Sequence, residues 1–186
     1  MSRKFYEQDA EPLARALVGK IIVLRDGKKT RRARIVETEA YVGPHDLASH
    51  SSKGRTARTE VMFGRAGHAY VYFIYGMYNM FNIVAGGGCG QAVLIRAAEP
   101  VDGWKADLTG PGKLCRAMGI TRRDNRADLT GDRFFLEEDG ASPRIGRSRR
   151  IGVEYAKKWK HALLRFYDRD SIAVCRHPAK RIGNRE

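Results

Sequence analysis

Between Arg65 and Arg96 the chain carries no Lys, Arg, Asp or Glu, although 30% of its residues are charged overall. An uncharged stretch of that length has to be buried, cross a membrane or form a binding surface, so it limits where the core can lie. A membrane span is opposed by Asn79, Asn82 and Gln91, and by GGGCG at 86–90. Its aromatic content points to strands instead. Four of the eight tyrosines (Tyr70, Tyr72, Tyr75 and Tyr78) fall in the run YVYFIYGMY. Alternation puts Tyr70, Tyr72 and Ile74 on one side and Val71, Phe73 and Tyr75 on the other, with a turn near Tyr75-Gly76-Met77. Val71 and Phe73 are expected in the core. A tyrosine beside the turn glycine is expected to be exposed.

Around this neutral stretch the chain is strongly basic, with 35 Lys and Arg against 21 Asp and Glu. A fold does not need a formal charge of +14, and neither does a small metabolite, but a polyanion would use it. Lys53, Arg55, Arg58 and Arg65 precede the aromatic run, and a second concentration of cations lies in 144–186. Neutral aromatics within a basic protein suggest base stacking inside a phosphate-binding surface. The 186 residues suit one domain, with a basic tail over about 176–186. The three cysteines, Cys89, Cys115 and Cys175, are scattered and without a CxxC pair, as in a cytoplasmic protein with reduced thiols. The N-terminus has no apolar targeting segment.

PLARALVG at 12–19 predicts a short helix opened by Pro12, and GPGKLCRAMGI at 110–120 a second one between Pro111 and Gly119. Strands are predicted at 20–27, 33–43 and 91–100, and mixed helical periodicity at 153–167. Residues 44–68 and 121–150 read as loops. Within 33–43, alternation places Ile35, Glu37, Glu39 and Tyr41 on one face and Val36, Thr38, Ala40 and Val42 on the other.

Two charged residues stand among apolar strand neighbours. Glu39 needs a partner, a polar face or a function, and taken alone such a carboxylate is more often salt-bridged or solvated than catalytic. Glu37 is still more readily structural. Arg96 is most simply half of a buried ion pair. His45, Asp46 and His50 could join Glu39 as metal ligands, but the spacing fits no strong ligand pattern, so no metal is expected. Nucleophile-elbow, P-loop and zinc-deaminase signatures are absent.

Together, RIVETEAYVGPHDLASHS at 34–51, MFGRAGHAYVYFIYGMYNMFNIV at 62–84, AVLIRAAEP at 92–100 and GPGKLCRAMGI at 110–120 resemble the alkyladenine (3-methyladenine) DNA glycosylase family. LARALVG at 13–19, RIGVEYA at 150–156 and RFY at 165–167 fit its two ends. The resemblance implies a mixed α+β single domain with a curved antiparallel sheet, surrounding helices and a β-hairpin that enters the DNA minor groove. It implies a monomer that acts without cofactor on duplex DNA containing alkylated or deaminated purines. By position, Glu39 matches the family's general base and Arg96 the arginine that holds the attacking water. Tyr41, His50 and Tyr72 match residues of the base pocket, Asn82 a residue discriminating against guanine, and Tyr75 the intercalating tyrosine. Val174 matches a residue whose carbonyl contacts the water. Arg55, Arg58 and Lys113 are expected on the DNA backbone. The chain departs from the family pattern at Leu164, where an aromatic is expected, at DRDSIAV over 168–174, and at Tyr78, where many bacterial relatives carry His.

Overall fold

The computed structural model describes residues 1–175. The basic tail expected over 176–186 lies outside the described residues. A short helix α1 (Arg3–Tyr6) is followed by α2 (Ala10–Leu17). Strands β1 (Ile21–Asp26) and β2 (Lys29–Tyr41) form a hairpin, β3 (Ala69–Ile74) and β4 (Tyr78–Ala85) a second one, and β5 (Gln91–Pro100) follows. Helix α3 (Pro111–Met118) precedes β6 (Phe134–Glu137), β7 (Ile145–Ser148) and β8 (Arg165–Asp168). The strands make one curled antiparallel sheet in the order β3-β4-β5-β2-β1-β6, with β8 joining β2 and β7 pairing with β8.

The expected class, a mixed α/β fold on an antiparallel sheet, is therefore observed. The uncharged stretch becomes β3, β4 and most of β5, whose Val71, Phe81, Ile83, Val93 and Ile95 enter the main core. Helix α2 covers the centre of the sheet with Leu13, Ala14 and Leu17, and Thr38 Oγ1 donates to the Ala14 carbonyl at 2.8 Å. Helix α2 starts two residues before Pro12, which is tolerated because first-turn N–H groups have no intrahelical acceptor. Helix α3 starts at Pro111 and ends at the left-handed Gly119, as its sequence predicts.

Strand β2 departs from simple alternation. Its pairing with β5 shifts register twice, between Ile35 and Glu37 and between Glu37 and Thr38, leaving Val36 and Arg96 as the extra residues. This irregularity changes the phase of the strand. Ile35 joins Ala33 and Ala40 in the main core, whereas Val36 packs with Ala97 and Ala173 in a separate cluster. The expected grouping of Ile35 with Glu37 and Glu39 is thus wrong, and both faces of the strand are buried from Ile35 to Ala40.

Other expectations also fail locally. Residues 153–167 form a 3-10 turn, Lys157–His161, and then β8, because β2 offers an open edge at Glu37–Glu39. The apparent loop 121–150 contains β6 and β7, too short to show a period. Phe73 is 44% exposed rather than in the core, since the hairpin extends past the core beyond Val71 and Phe81. No helix among the described residues is long and apolar enough to cross a membrane.

Candidate active site

The β2 irregularity brings two carboxylates and two guanidinium groups together inside the protein. Glu37 and Glu39 are fully buried, and Arg96 and Arg165 are each 8% exposed. Glu37 Oε1 accepts from Arg96 Nε at 2.9 Å and Arg165 Nε at 2.6 Å, while its Oε2 accepts the Cys175 N–H at 2.6 Å. Arg165 also reaches Ser148 Oγ and the Cys175 carbonyl. Glu37 thus anchors both arginines and the chain at Cys175. Two charges of each sign balance there, which is the condition for keeping them buried.

Glu39 differs from Glu37. Its Oε1 accepts the Ile151 N–H at 2.7 Å, its Oε2 accepts the Tyr41 hydroxyl at 3.0 Å, and Arg96 Nη1 lies 3.3 Å from Oε2. Burial works against the Arg96 charge, but Glu39 and Glu37 more than offset it and the guanidinium is held protonated. Tyr41, Arg96 and Ile151 all line one cavity of about 340 Å³, and Glu39 sits directly behind this wall. The volume is in the usual range for a small organic group.

The other walls are largely aromatic. His50 Nδ1 pairs with the Tyr70 hydroxyl at 2.9 Å, and its ring meets Tyr72 edge-on with centroids 4.6 Å apart. Burial, aided by the nearby Arg58 cation, lowers the His50 pKa to about 4, so the imidazole is neutral near pH 7. Burial pushes the Tyr41 and Tyr72 hydroxyls up, keeping them protonated. The Arg58 guanidinium lies 5.0 Å from the Tyr72 ring centre. Asn82 also lines the cavity and is 3% exposed, with Nδ2 donating to the Tyr70 carbonyl at 3.1 Å.

At the rim, the β3–β4 hairpin turns through Tyr75, Gly76 and Met77. Tyr75 is 78% exposed and holds a left-handed φ of 54°. A left-handed φ at a non-glycine residue costs energy, and so exposed a side chain gains little packing in return. The hairpin is braced from outside: a Cβ on Gly112 of α3 would lie 2.6 Å from Tyr78, so only glycine permits this approach.

Seven of the expected site residues, Glu39, Arg96, Tyr41, His50, Tyr72, Asn82 and Tyr75, therefore lie in or directly behind one cavity. Val174 does not line it; it packs with Val36 and Ala97 beside the Glu37 cluster. Arg55 and Lys113 are on the surface, paired with Glu60 and Asp107 respectively. His45 and Asp46 diverge: His45 packs on Trp159, while buried Asp46 makes a two-point pair with Arg150 at 2.5 and 2.8 Å. Among the described residues no three His, Cys, Asp or Glu side chains converge as metal ligands.

The sequence reading missed Arg150, Arg165, Ile151 and Tyr155. Arg150 donates to the Ala40 carbonyl and lies 4.8 Å from the Tyr41 ring centre, fixing the segment whose next N–H binds Glu39. Tyr155 stands at the cavity rim, 69% exposed. The available signal was a charge imbalance: Glu37 and Glu39 are two strand carboxylates, and Arg96 alone cannot neutralise both.

Comparison with known proteins agrees over nearly the whole chain. Residues 4–172 match the family model described as methylpurine-DNA glycosylase. A protein of Anaeromyxobacter sp. (strain Fw109-5), named "Putative 3-methyladenine DNA glycosylase", is 49% identical over 97% of this chain and 94% of its own length. Proteins with the same name from Legionella pneumophila (strain Corby) and Myxococcus xanthus (strain DK1622) are 49% and 47% identical. They cover 92% and 96% of this chain, and 95% and 94% of their own lengths.

Proposed function

Because the chain belongs to the methylpurine-DNA glycosylase family, and so to the DNA N-glycosylases of alkylated-base repair, we propose that it hydrolyses the N-glycosidic bond of alkylated or deaminated purines after flipping them from duplex DNA. The observation that carries this reading is Glu39, a buried carboxylate held by Ile151, Tyr41 and Arg96 behind an aromatic cavity whose rim bears the exposed Tyr75.

The base stack is closed to an enzyme, so Tyr75 wedges into the duplex and fills the space that the flipped nucleotide leaves. The purine enters between Tyr41 and Tyr72, where stacking contributes about 1–3 kcal/mol. The aromatic faces of Tyr41 and Tyr72 favour a cationic alkylpurine, and neutral His50 adds no positive charge to the pocket. Asn82 shapes the cavity floor against normal guanine.

Arg96 and Glu39 position a water molecule at the sugar C1′. The C1′–N bond breaks with both electrons going to the purine, which neutralises its charge. The water oxygen bonds C1′, and Glu39 accepts the proton. The carboxylate also stabilises the oxocarbenium-like transition state. A cationic alkylpurine leaves without an acid, so one carboxylate suffices for it, whereas a neutral base such as hypoxanthine leaves as an anion that needs a proton or hydrogen bonds. Among the described residues no lysine lines the cavity, in keeping with a monofunctional enzyme that leaves an abasic site uncut. Every group in this account comes from one chain, and the hydrolysis as written calls for neither a second chain nor a cofactor.

Release of free base from duplexes containing 3-methyladenine, 7-methylguanine, ethenoadenine or hypoxanthine, with and without EDTA, tests the reading. Base release that survives EDTA and leaves the strand intact is expected. Strand cleavage abolished by EDTA would instead indicate a metal-dependent nuclease.

A further inference from the structure

The β3–β4 hairpin has two faces of different character. Tyr72, Ile74, Met80 and Asn82 point into the base cavity. On the opposite face Val71 and Phe81 belong to the main core, but nearer the tip the same face emerges at Phe73 and Asn79, which are cross-strand partners. Phe73 is 44% exposed there. Beside it a shallow hollow is completed by Thr121, Arg122 and Arg123. The Asn79 carboxamide oxygen is buried in this region with no hydrogen-bond partner among the described residues.

Both arginines are exposed, and neither makes an ion pair among the described residues. They are nonetheless firmly placed. Thr121 and Asp124 form a reciprocal capping box around Arg122–Asp124, and Asp124 pairs with Arg133 at 2.5 Å. The following residues are bonded to the outer edge of β3: Asn125 Oδ1 accepts the Val71 N–H, the Ala127 carbonyl accepts the Ala69 N–H, and Arg126 N–H donates to the Ala69 carbonyl. An exposed aromatic next to two unpaired cations on a rigid support has the composition of a nucleic-acid contact.

We propose that Phe73, Arg122 and Arg123 dock the undamaged strand of the duplex, with the arginines on its phosphates and Phe73 against its sugars. The inference rests on the glycosylase reading, in which Tyr75 at the hairpin tip enters between the strands. A wedge seated there presents one face to each strand. The cavity face receives the flipped nucleotide, so the Phe73 face meets the complement. The hollow therefore makes the protein a duplex reader, holding the second strand while the first is opened.

The test uses Arg122→Ala/Arg123→Ala and Phe73→Ala beside the parent protein. Each is given one lesion oligonucleotide as a single strand, as a duplex, and as a duplex whose complementary strand carries neutral methylphosphonate linkages opposite the lesion. The double variant is expected to bind the lesion duplex about tenfold more weakly, with the slope of log affinity against log salt reduced by about two. On the methylphosphonate duplex the parent and the double variant should converge. Phe73→Ala should weaken duplex binding and leave the salt slope unchanged. Losses equal on single strand and duplex, or an unaltered duplex affinity, would overturn the docking surface. Absence of base release by the parent from every substrate would sink the glycosylase reading, while binding and salt slopes would still decide the docking surface.

Discussion

The main-chain N–H of Ile151 donates to Glu39 Oε1 at 2.7 Å, so the candidate base is oriented by a residue 112 positions away in the sequence. This contact depends on Arg150, whose side chain is fully buried against Asp46. Asp46→Ala would strand a buried guanidinium, at a cost of about 3–5 kcal/mol. Chemical denaturation should show that loss, and the part of the protein that stays folded should release base more slowly because Ile151 is no longer fixed. Wild-type stability in the variant would remove Arg150 from the account.

Glu37 and Glu39 lie two residues apart on one strand and should separate cleanly by substitution. Glu37→Gln leaves Arg96 and Arg165 sharing too little negative charge, and it is expected to lower stability by about 3–5 kcal/mol. Glu39→Gln keeps a hydrogen-bonding group of the same size and should affect stability much less than activity. Thermal melts of both variants beside their base-release rates give the comparison; a Glu37→Gln protein as stable as the parent would contradict it.

Much of the fold was legible because its signals are local. The uncharged stretch predicted β3, β4 and β5, and Pro111 with Gly119 bounded α3. The phase of β2 was not, because a bulge adds a residue without any change in composition. Strand β8 was read as helical because its pairing with β2 is a long-range contact that four residues cannot encode. At the site, Glu39 and Arg96 stood out as charges in apolar strands. Arg150 and Arg165 were hidden in a segment where arginine is common, and only burial distinguishes them from their neighbours.

Tyr75→Ala should weaken binding and base release on duplex lesions by roughly tenfold or more while sparing a single-stranded lesion, because an unpaired strand leaves no stack to wedge. The side chain is exposed, so the thermal melt should not change. Equal losses on both substrates would argue for a pocket role instead.

His50 sets a pH dependence. In the unfolded chain its pKa is about 6.5, and in the folded protein burial lowers it to about 4. Between these values the unfolded state binds a proton that the folded state does not. Stability present above about pH 6.5 is therefore lost as the pH falls toward 4. Melting temperatures measured across that window should fall more steeply for the parent than for His50→Asn; parallel curves would show that His50 is not buried in its neutral form.

The central claim is that Glu39 activates the attacking water. Single-turnover base release by Glu39→Gln from a duplex containing an alkylated purine, measured beside its binding to the same duplex, tests it most directly. The predicted result is a rate lower by about 10²–10⁴-fold with lesion binding retained. A rate within a few-fold of the parent would contradict the mechanism.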